Sequence, residues 1–191
     1  MIALAEIERA RERIAGAAVR TPLVRLPDTD IWLKLENLQP VGSFKIRGAT
    51  NAIRAASPEE LSGGVVTASA GNMAQGVAWA AREAGVKATI VVPDHAPQTK
   101  LDAIERLGGR ILKVPYEQWW QAIEESRFEG ADGLFVHPVQ DELVMAGNGT
   151  IGLELVEDLP DVDTVLVPFG GGGLSTGIAS AVKALRPSAT V

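Results

Sequence analysis

Ser43-Phe44-Lys45-Ile46-Arg47-Gly48, following closely on Trp32-Leu33-Lys34-Leu35-Glu36-Asn37, decides how this chain is read. The earlier segment reads as a strand and the later one as the start of a helix, so a single lysine, Lys45, stands at a strand-to-helix junction. A lysine so placed can anchor a cofactor. The ordinary fate of a lysine is a solvated surface cation, because its ammonium is rarely buried unless paired. Lys45 therefore takes its meaning from the rest of the sequence.

Composition limits the setting. The 191 residues are 46% hydrophobic, 22% charged and 5% aromatic, the balance of a soluble globular chain able to bury a sizeable core in one or two domains. A net charge of -6 supplies no cationic field for phosphate backbones, so neither nucleic acid nor an anionic membrane is expected as a partner, and a small molecule is. There is no cysteine, which excludes disulfides and thiolate metal sites, and only His95 and His137 offer imidazole. No metal site is expected. Met1 to Ile14 interleaves charges of both signs with apolar positions at helical spacing, predicting a surface helix instead of a signal peptide. No apolar run approaches the roughly 18 residues that span a bilayer, and a cytoplasmic location is expected.

Short β-branched runs alternate with amphipathic segments, the sequence form of an α/β protein with parallel sheet flanked by helices. Strands are predicted at Val65–Thr67, Ala88–Val92, Arg110–Val114, Leu134–Val136 and Thr164–Val167. Between them, Met73, Val77, Ala80, Ala81 and Ala84 mark a helix closed by Gly85, and Leu101, Ile104 and Leu107 mark another, with Gly108 suited to a left-handed cap. Further helices are predicted from Tyr116 to about Phe128 and from about Thr150 to Glu157. Of the Trp119-Trp120 pair, one indole is expected inside and the other half-exposed.

Two further stretches carry chemistry. Phe169-Gly170-Gly171-Gly172-Gly173-Leu174-Ser175 lies between a strand and a helix, where consecutive glycines let the backbone approach a ligand and N–H groups at the helix start receive a phosphate. A dinucleotide site fits poorly, since the G-x-G-x-x-G spacing is not met, and Gly42-Ser43-Phe44-Lys45 lacks the ending of a nucleotide-binding P-loop. Thr67-Ala68-Ser69-Ala70-Gly71-Asn72-Met73-Ala74-Gln75-Gly76 occupies another strand-to-helix junction, at the carboxyl end of a parallel sheet where clefts form. Asn72 has two readings there, as a ligand-facing amide or as a cap for the helix beginning near Met73.

In this order, the three segments resemble the fold-type II pyridoxal-phosphate enzymes, specifically the threonine/serine dehydratase branch with its relative serine racemase. The resemblance runs through Thr21-Pro22-Leu23, Leu33 to Pro40, Gly42 to Ala49 and Ser69 to Asn72. It continues over Val92-Pro93, Ala96-Pro97 and Lys100, then Gly147, Gly149-Thr150 and Glu154, and the glycine run. It implies a tryptophan synthase β-like architecture. Residues 1–48 would begin a large cofactor domain, 49–150 form a small α/β domain, and 151–191 start the remainder of the large domain. It implies pyridoxal 5'-phosphate as cofactor and Lys45 as its Schiff-base lysine. Phe44 packs beside the ring, Asn72 bonds the ring hydroxyl, and Gly170, Gly171, Gly172, Gly173 and Leu174 hold the phosphate. Ser69, Ala70, Gly71 and Met73 would meet the substrate.

The implied activity is α,β-elimination from L-threonine or L-serine to a 2-oxo acid and ammonia, with Lys45 removing the Cα proton. Related racemases carry a serine at the place of Ala70, which protonates the opposite face. Ala70 has no such proton, so elimination is favoured over racemisation. Met73 stands where relatives commonly have histidine, Asn148 where glutamine is usual, and Phe169 where a smaller aliphatic residue is frequent. Complete relatives continue beyond Val191 through the rest of the large domain, so a C-terminally truncated member with an open sheet edge at Thr164–Val167 is expected. That edge implies a homo-oligomer, a dimer as in relatives, or association with the missing C-terminal segment. The alternatives are a catalytically incomplete cofactor-binding or regulatory fragment, and an amino-acid racemase.

Overall fold

Helix α1 (Leu4–Arg13) buries Ile7 and Ala10, three residues apart on one face, and turns its charges to solvent. The structure, a computed structural model, describes residues 1–191. An antiparallel hairpin follows, β1 (Leu23–Arg25) with β2 (Trp32–Lys34), in the register Leu23↔Lys34. A 3-10 turn at Glu36–Leu38 then leads to α2 (Lys45–Ala55). The predicted alternation comes next: β3 (Val65–Ala68), α3 (Asn72–Glu83), β4 (Ala88–Pro93), α4 (Gln98–Arg106), β5 (Gly109–Val114), α5 (Tyr116–Glu125) and β6 (Leu134–Phe135). Two helices, α6 (Glu142–Asp158) and α7 (Gly173–Leu185), complete the chain. None of the helices is long and apolar enough to cross a membrane.

Strands β3 to β6 form one parallel sheet in the order β5-β4-β3-β6, with Val65 opposite both Ala88 and Leu134. Alternation along the strands sorts apolar side chains to its two faces. Val65, Ile90 and Val92 pack with Ile53 of α2, Val77 of α3 and Ile104 of α4. Val66, Ala68 and Val91 pack with Ala122 and Trp119 of α5 on the other side. Both faces are covered, as parallel sheets require. The carboxyl ends of β3 and β6, where Ser69 and His137 follow, are left as the edge at which a site forms. Trp119 lies against the second layer while Trp120 is exposed, as the pair predicts.

Several predicted boundaries move. Helix α5 stops at Glu125, because Ser126 turns left-handed at φ 52°. Gly71, with no side chain to cap, precedes α3, and Asn72 is its first helical residue instead of its cap. Helix α6 begins eight residues before the expected start at Thr150, capped by Asp141, whose Oδ1 accepts from Leu143 N at 2.8 Å and Val144 N at 3.2 Å. Its glycines read as loop in sequence but serve close helix packing. A Cβ on Gly147 would lie 2.5 Å from the Arg47 carbonyl oxygen and 2.7 Å from Gly48 Cα, and one on Gly177 of α7 2.3 Å from the Met145 carbonyl. Thr164–Val167, predicted as a strand, makes only a single parallel bridge between Thr164 and Thr190. A strand is defined by its ladder, and this segment has no other partner.

A buried ionic cluster ties the hairpin, the 3-10 turn, α2 and α6 together. Arg47 is 1% exposed, and its Nε and Nη2 donate to both oxygens of Glu36 at 2.8 Å. Its Nη1 donates to Glu154 Oε1 at 2.7 Å and Thr150 Oγ1 at 3.0 Å, and Nη2 reaches the Val19 carbonyl at 3.1 Å. Lys34 Nζ pairs with Glu154 Oε2 at 2.7 Å and donates to the Thr21 carbonyl at the same distance. Two cations thus face two carboxylates with nearly every hydrogen used, the condition under which buried charge is tolerated.

Arg47→Ala, which takes the only ion-pair partner from Glu36 and leaves Glu154 with Lys34 alone, is expected to destabilise the fold by about 3–5 kcal/mol, read as a lowered urea midpoint. Gly147→Ala, which forces α2 and α6 apart, should cost about 1–3 kcal/mol in the same measurement.

Candidate active site

Lys45 opens α2 two residues before Arg47, and a helix turns about 100° per residue. With Arg47 drawn into the ionic cluster, Lys45 emerges on nearly the opposite side. Its Nζ is half-buried beside the Phe44 ring, 5.3 Å from the centroid, and donates to the Pro138 carbonyl at 2.8 Å. Burial disfavours the ammonium and lowers its pKa from the ordinary lysine value. No carboxylate pairs with it. The result is an amine held in place and biased toward its nucleophilic form.

Lys45 and Phe44 line a cleft of about 1140 Å³ together with Pro138, Val139, Gly170 to Gly173 and Leu174. The glycine run therefore faces the same space as the amine. Val139 shapes the run: a Cβ on Gly171 would stand 2.6 Å from its Cγ2, and one on Gly173 2.7 Å from its carbonyl oxygen. Gly172 sits at φ 92°, a conformation that L side chains rarely adopt. From Gly170 to Ser175 no main-chain N–H donates to another protein group, and these donors cluster at the positive end of a thirteen-residue helix. Asn148, on α6, reaches the Gly173 carbonyl from behind at 3.4 Å. An amine with no carboxylate partner and a cradle of unpaired N–H groups in one cleft fit a phosphorylated carbonyl compound.

Ser69 to Met73 lies at the carboxyl end of β3 and does not line this cleft. The loop adjoins Lys45 through α3, since a Cβ on Gly76 would be 3.1 Å from the Lys45 carbonyl. Asn72 is exposed, and Ser69 Oγ accepts from Gly71 N at 3.2 Å. Ala70 packs against the main core. Met73 is 2% exposed and its side chain belongs to that core. Its main-chain N–H, in the first turn of α3, is free to donate.

The sequence reading overlooked Pro138 and Val139, which join the amine to the glycine run, and the charged cluster behind Lys45. The His137-Pro138 pair at the end of a predicted strand was the available signal. Arg47, Glu36 and Glu154 had none, because each is an ordinary charged residue until the fold brings them together.

Comparison with known proteins agrees with this geometry. Residues 14–191 match the family described as pyridoxal-phosphate dependent enzyme. The chain is 46% identical over 200 residues to an L-threonine ammonia-lyase of Thermotoga maritima, covering 100% of this chain and 49% of that protein. Maize serine racemase superposes with a TM-score of 0.91 at 38% identity, over 98% of this chain and 59% of that one. Processed threonine deaminase isoform 2 from Solanum lycopersicum gives 0.85 at 36% identity, over 97% and 57%. The chain thus spans about half the length of the relatives it matches. The architecture is the fold-type II one expected, and the chain belongs to the pyridoxal-phosphate-dependent enzyme family.

Proposed function

We propose that this chain carries the cofactor-binding portion of a cytoplasmic lyase that converts L-threonine or L-serine to a 2-oxo acid and ammonia. The observation that carries the reading is Lys45 Nζ, half-buried and held only by the Pro138 carbonyl, sharing one cleft with the unpaired N–H groups of the glycine run. The relatives named as L-threonine ammonia-lyase and threonine deaminase support the choice of reaction. Pyridoxal phosphate, when bound, supplies a carbonyl for an amine and a ring that takes up the electrons left at Cα as its proton departs.

The chain's own residues do the remainder. The N–H groups of Gly170 to Gly173 and Leu174 would hold the phosphate, with Phe44 beside the ring and Asn72 donating to its hydroxyl. Lys45 would hold the carbonyl carbon through Nζ and, once the substrate's amine has displaced it there, the freed Nζ would take the Cα proton, a role its lowered pKa suits. Ser69, Ala70 and Gly71, with the main-chain N–H of Met73, receive the substrate carboxylate at the start of α3. Ala70 offers no proton to the opposite face, which favours elimination over racemisation.

A second reading, a cofactor-binding fragment without turnover, is favoured by one observation. The cleft opens along Thr164 to Phe169, where Leu166 is 91% and Phe169 80% exposed. A second copy of the chain in a dimer, or a polypeptide equivalent to the remaining length of the relatives, would cover that wall.

Borohydride reduction in the presence of pyridoxal phosphate, followed by peptide mapping, should place the pyridoxyl mass on Lys45, and Lys45→Ala should abolish it. Release of 2-oxo acid from L-threonine or L-serine supports the lyase, cofactor capture without release supports the fragment, and no capture at all overturns both. Capture needs the neutral amine, so it should persist to lower pH at Lys45 than for a free lysine side chain, and fail as pH drops through the lowered Lys45 pKa.

A further inference from the structure

His137 is one of two histidines in the chain and is 7% exposed, yet it has no place in the chemistry above. Its Nδ1 accepts two main-chain N–H groups, Val139 at 3.0 Å and Gln140 at 2.8 Å. Two donors aimed at one ring nitrogen require a lone pair there, so the imidazole is neutral with its proton on Nε2. The turn closed in this way holds both halves of the site. Pro138 presents the carbonyl that accepts Lys45 Nζ at 2.8 Å, and Val139 fills the space against Gly171 and Gly173.

We propose that His137 is a positioning residue: as a neutral imidazole it fixes the Pro138–Gln140 turn, and through that turn it sets Lys45 and the glycine run relative to one another. The claim rests on the reading of Lys45 and the glycine run as the cofactor site. Protonation removes the Nδ1 acceptor and leaves two partly buried donors without a partner. The charged groups facing the ring are Asp141, the cap of α6, which favours the imidazolium, and Lys45, which opposes it. The Ile123 backbone on the side of α5 also favours the charged ring, and the Phe135 ring lies 6.4 Å away. Burial outweighs these and lowers the His137 pKa from its ordinary value.

The sign follows. Above the ordinary imidazole range both open and closed turns hold a neutral ring, and the closed turn is at full strength. As pH falls below about 6.5, the open turn takes up a proton that the closed turn refuses, and closure weakens until the lowered pKa of His137 is passed.

The test pairs His137→Asn, whose amide oxygen can accept but does not titrate, with His137→Ala, which cannot accept. Pyridoxal phosphate affinity is measured by equilibrium titration from pH 8 to pH 5. Hydrogen exchange of the Val139 and Gln140 amides is followed in the wild-type chain without cofactor, corrected for intrinsic rates. Expected results are near wild-type affinity for His137→Asn at pH 8 and a loss of about tenfold or more for His137→Ala. A one-proton weakening in acid should be present in wild type and absent from His137→Asn. Both amides should lose protection through the same pH step. Should His137→Ala fail to fold, His137→Asn and the wild-type exchange still decide the matter. A wild-type to His137→Asn affinity ratio that stays constant with pH, or amide protection that does not change across the step, overturns the proposal. A wild-type chain that takes up no pyridoxal phosphate defeats the cofactor reading instead, while the amide protection alone then supports or overturns the control of the turn by His137.

Discussion

The contact on which the remainder depends is the guanidinium of Arg47 between the carboxylates of Glu36 and Glu154. A planar cation with five N–H donors can satisfy two carboxylates, a hydroxyl and a carbonyl at once, which an ammonium cannot. It joins the 3-10 turn to α2 and α6, and Lys34 brings the hairpin to the same Glu154. Because Arg47 and Lys45 are two residues apart on one helix, pinning the first fixes the rotation of α2 and therefore the direction of the second. The buried charge is less a source of net stability than a device for orientation, since desolvation offsets much of the attraction.

Close helix approach does for the glycine run what the ionic cluster does for the lysine. Gly147 of α6 lies against Arg47 and Gly48 of α2, and Gly177 of α7 against Met145. Glycine inside a helix costs about 1 kcal/mol relative to alanine, so three of them within α6 at 147, 149 and 152 are sustained by packing that larger residues would forbid. The amine on α2 and the N–H cradle at the start of α7 are thereby carried on helices held through a common third. His137, Pro138 and Val139 close the same arrangement from the strand side, at the end of β6.

The legibility of the fold was uneven for physical reasons. Strands β3 and β4 are short β-branched runs buried on both faces, β5 carries the same pattern to the sheet edge, and the helices between them repeat an apolar face, so local pattern and global structure agree. Gly85 and Gly108 take the left-handed conformations, φ 71° and 94°, that their positions after α3 and α4 suggest. The predicted α6 is short because Gly147 and Gly149 look like breakers until their neighbours are known. Thr164–Val167 has the composition of a strand, while the ladder that would make it one is a property of its neighbours. In the candidate site, Lys45, Phe44 and the glycines stand out in the sequence and share one cleft, whereas the burial of the Met73 side chain in the core is set by packing that the loop sequence does not carry.

By itself the sequence determined the alternating parallel architecture, the lysine at a strand-to-helix junction and the glycines suited to a phosphate, because each is written in residues adjacent along the chain. Only the tertiary structure decided which way Lys45 points, which carbonyl receives its ammonium, and that His137 holds the turn between the amine and the glycine run. Those depend on contacts between residues some 90 positions apart, such as Lys45 and Pro138. Side-chain direction and the pairing of buried polar groups arise from packing across such separations, and no local pattern carries them.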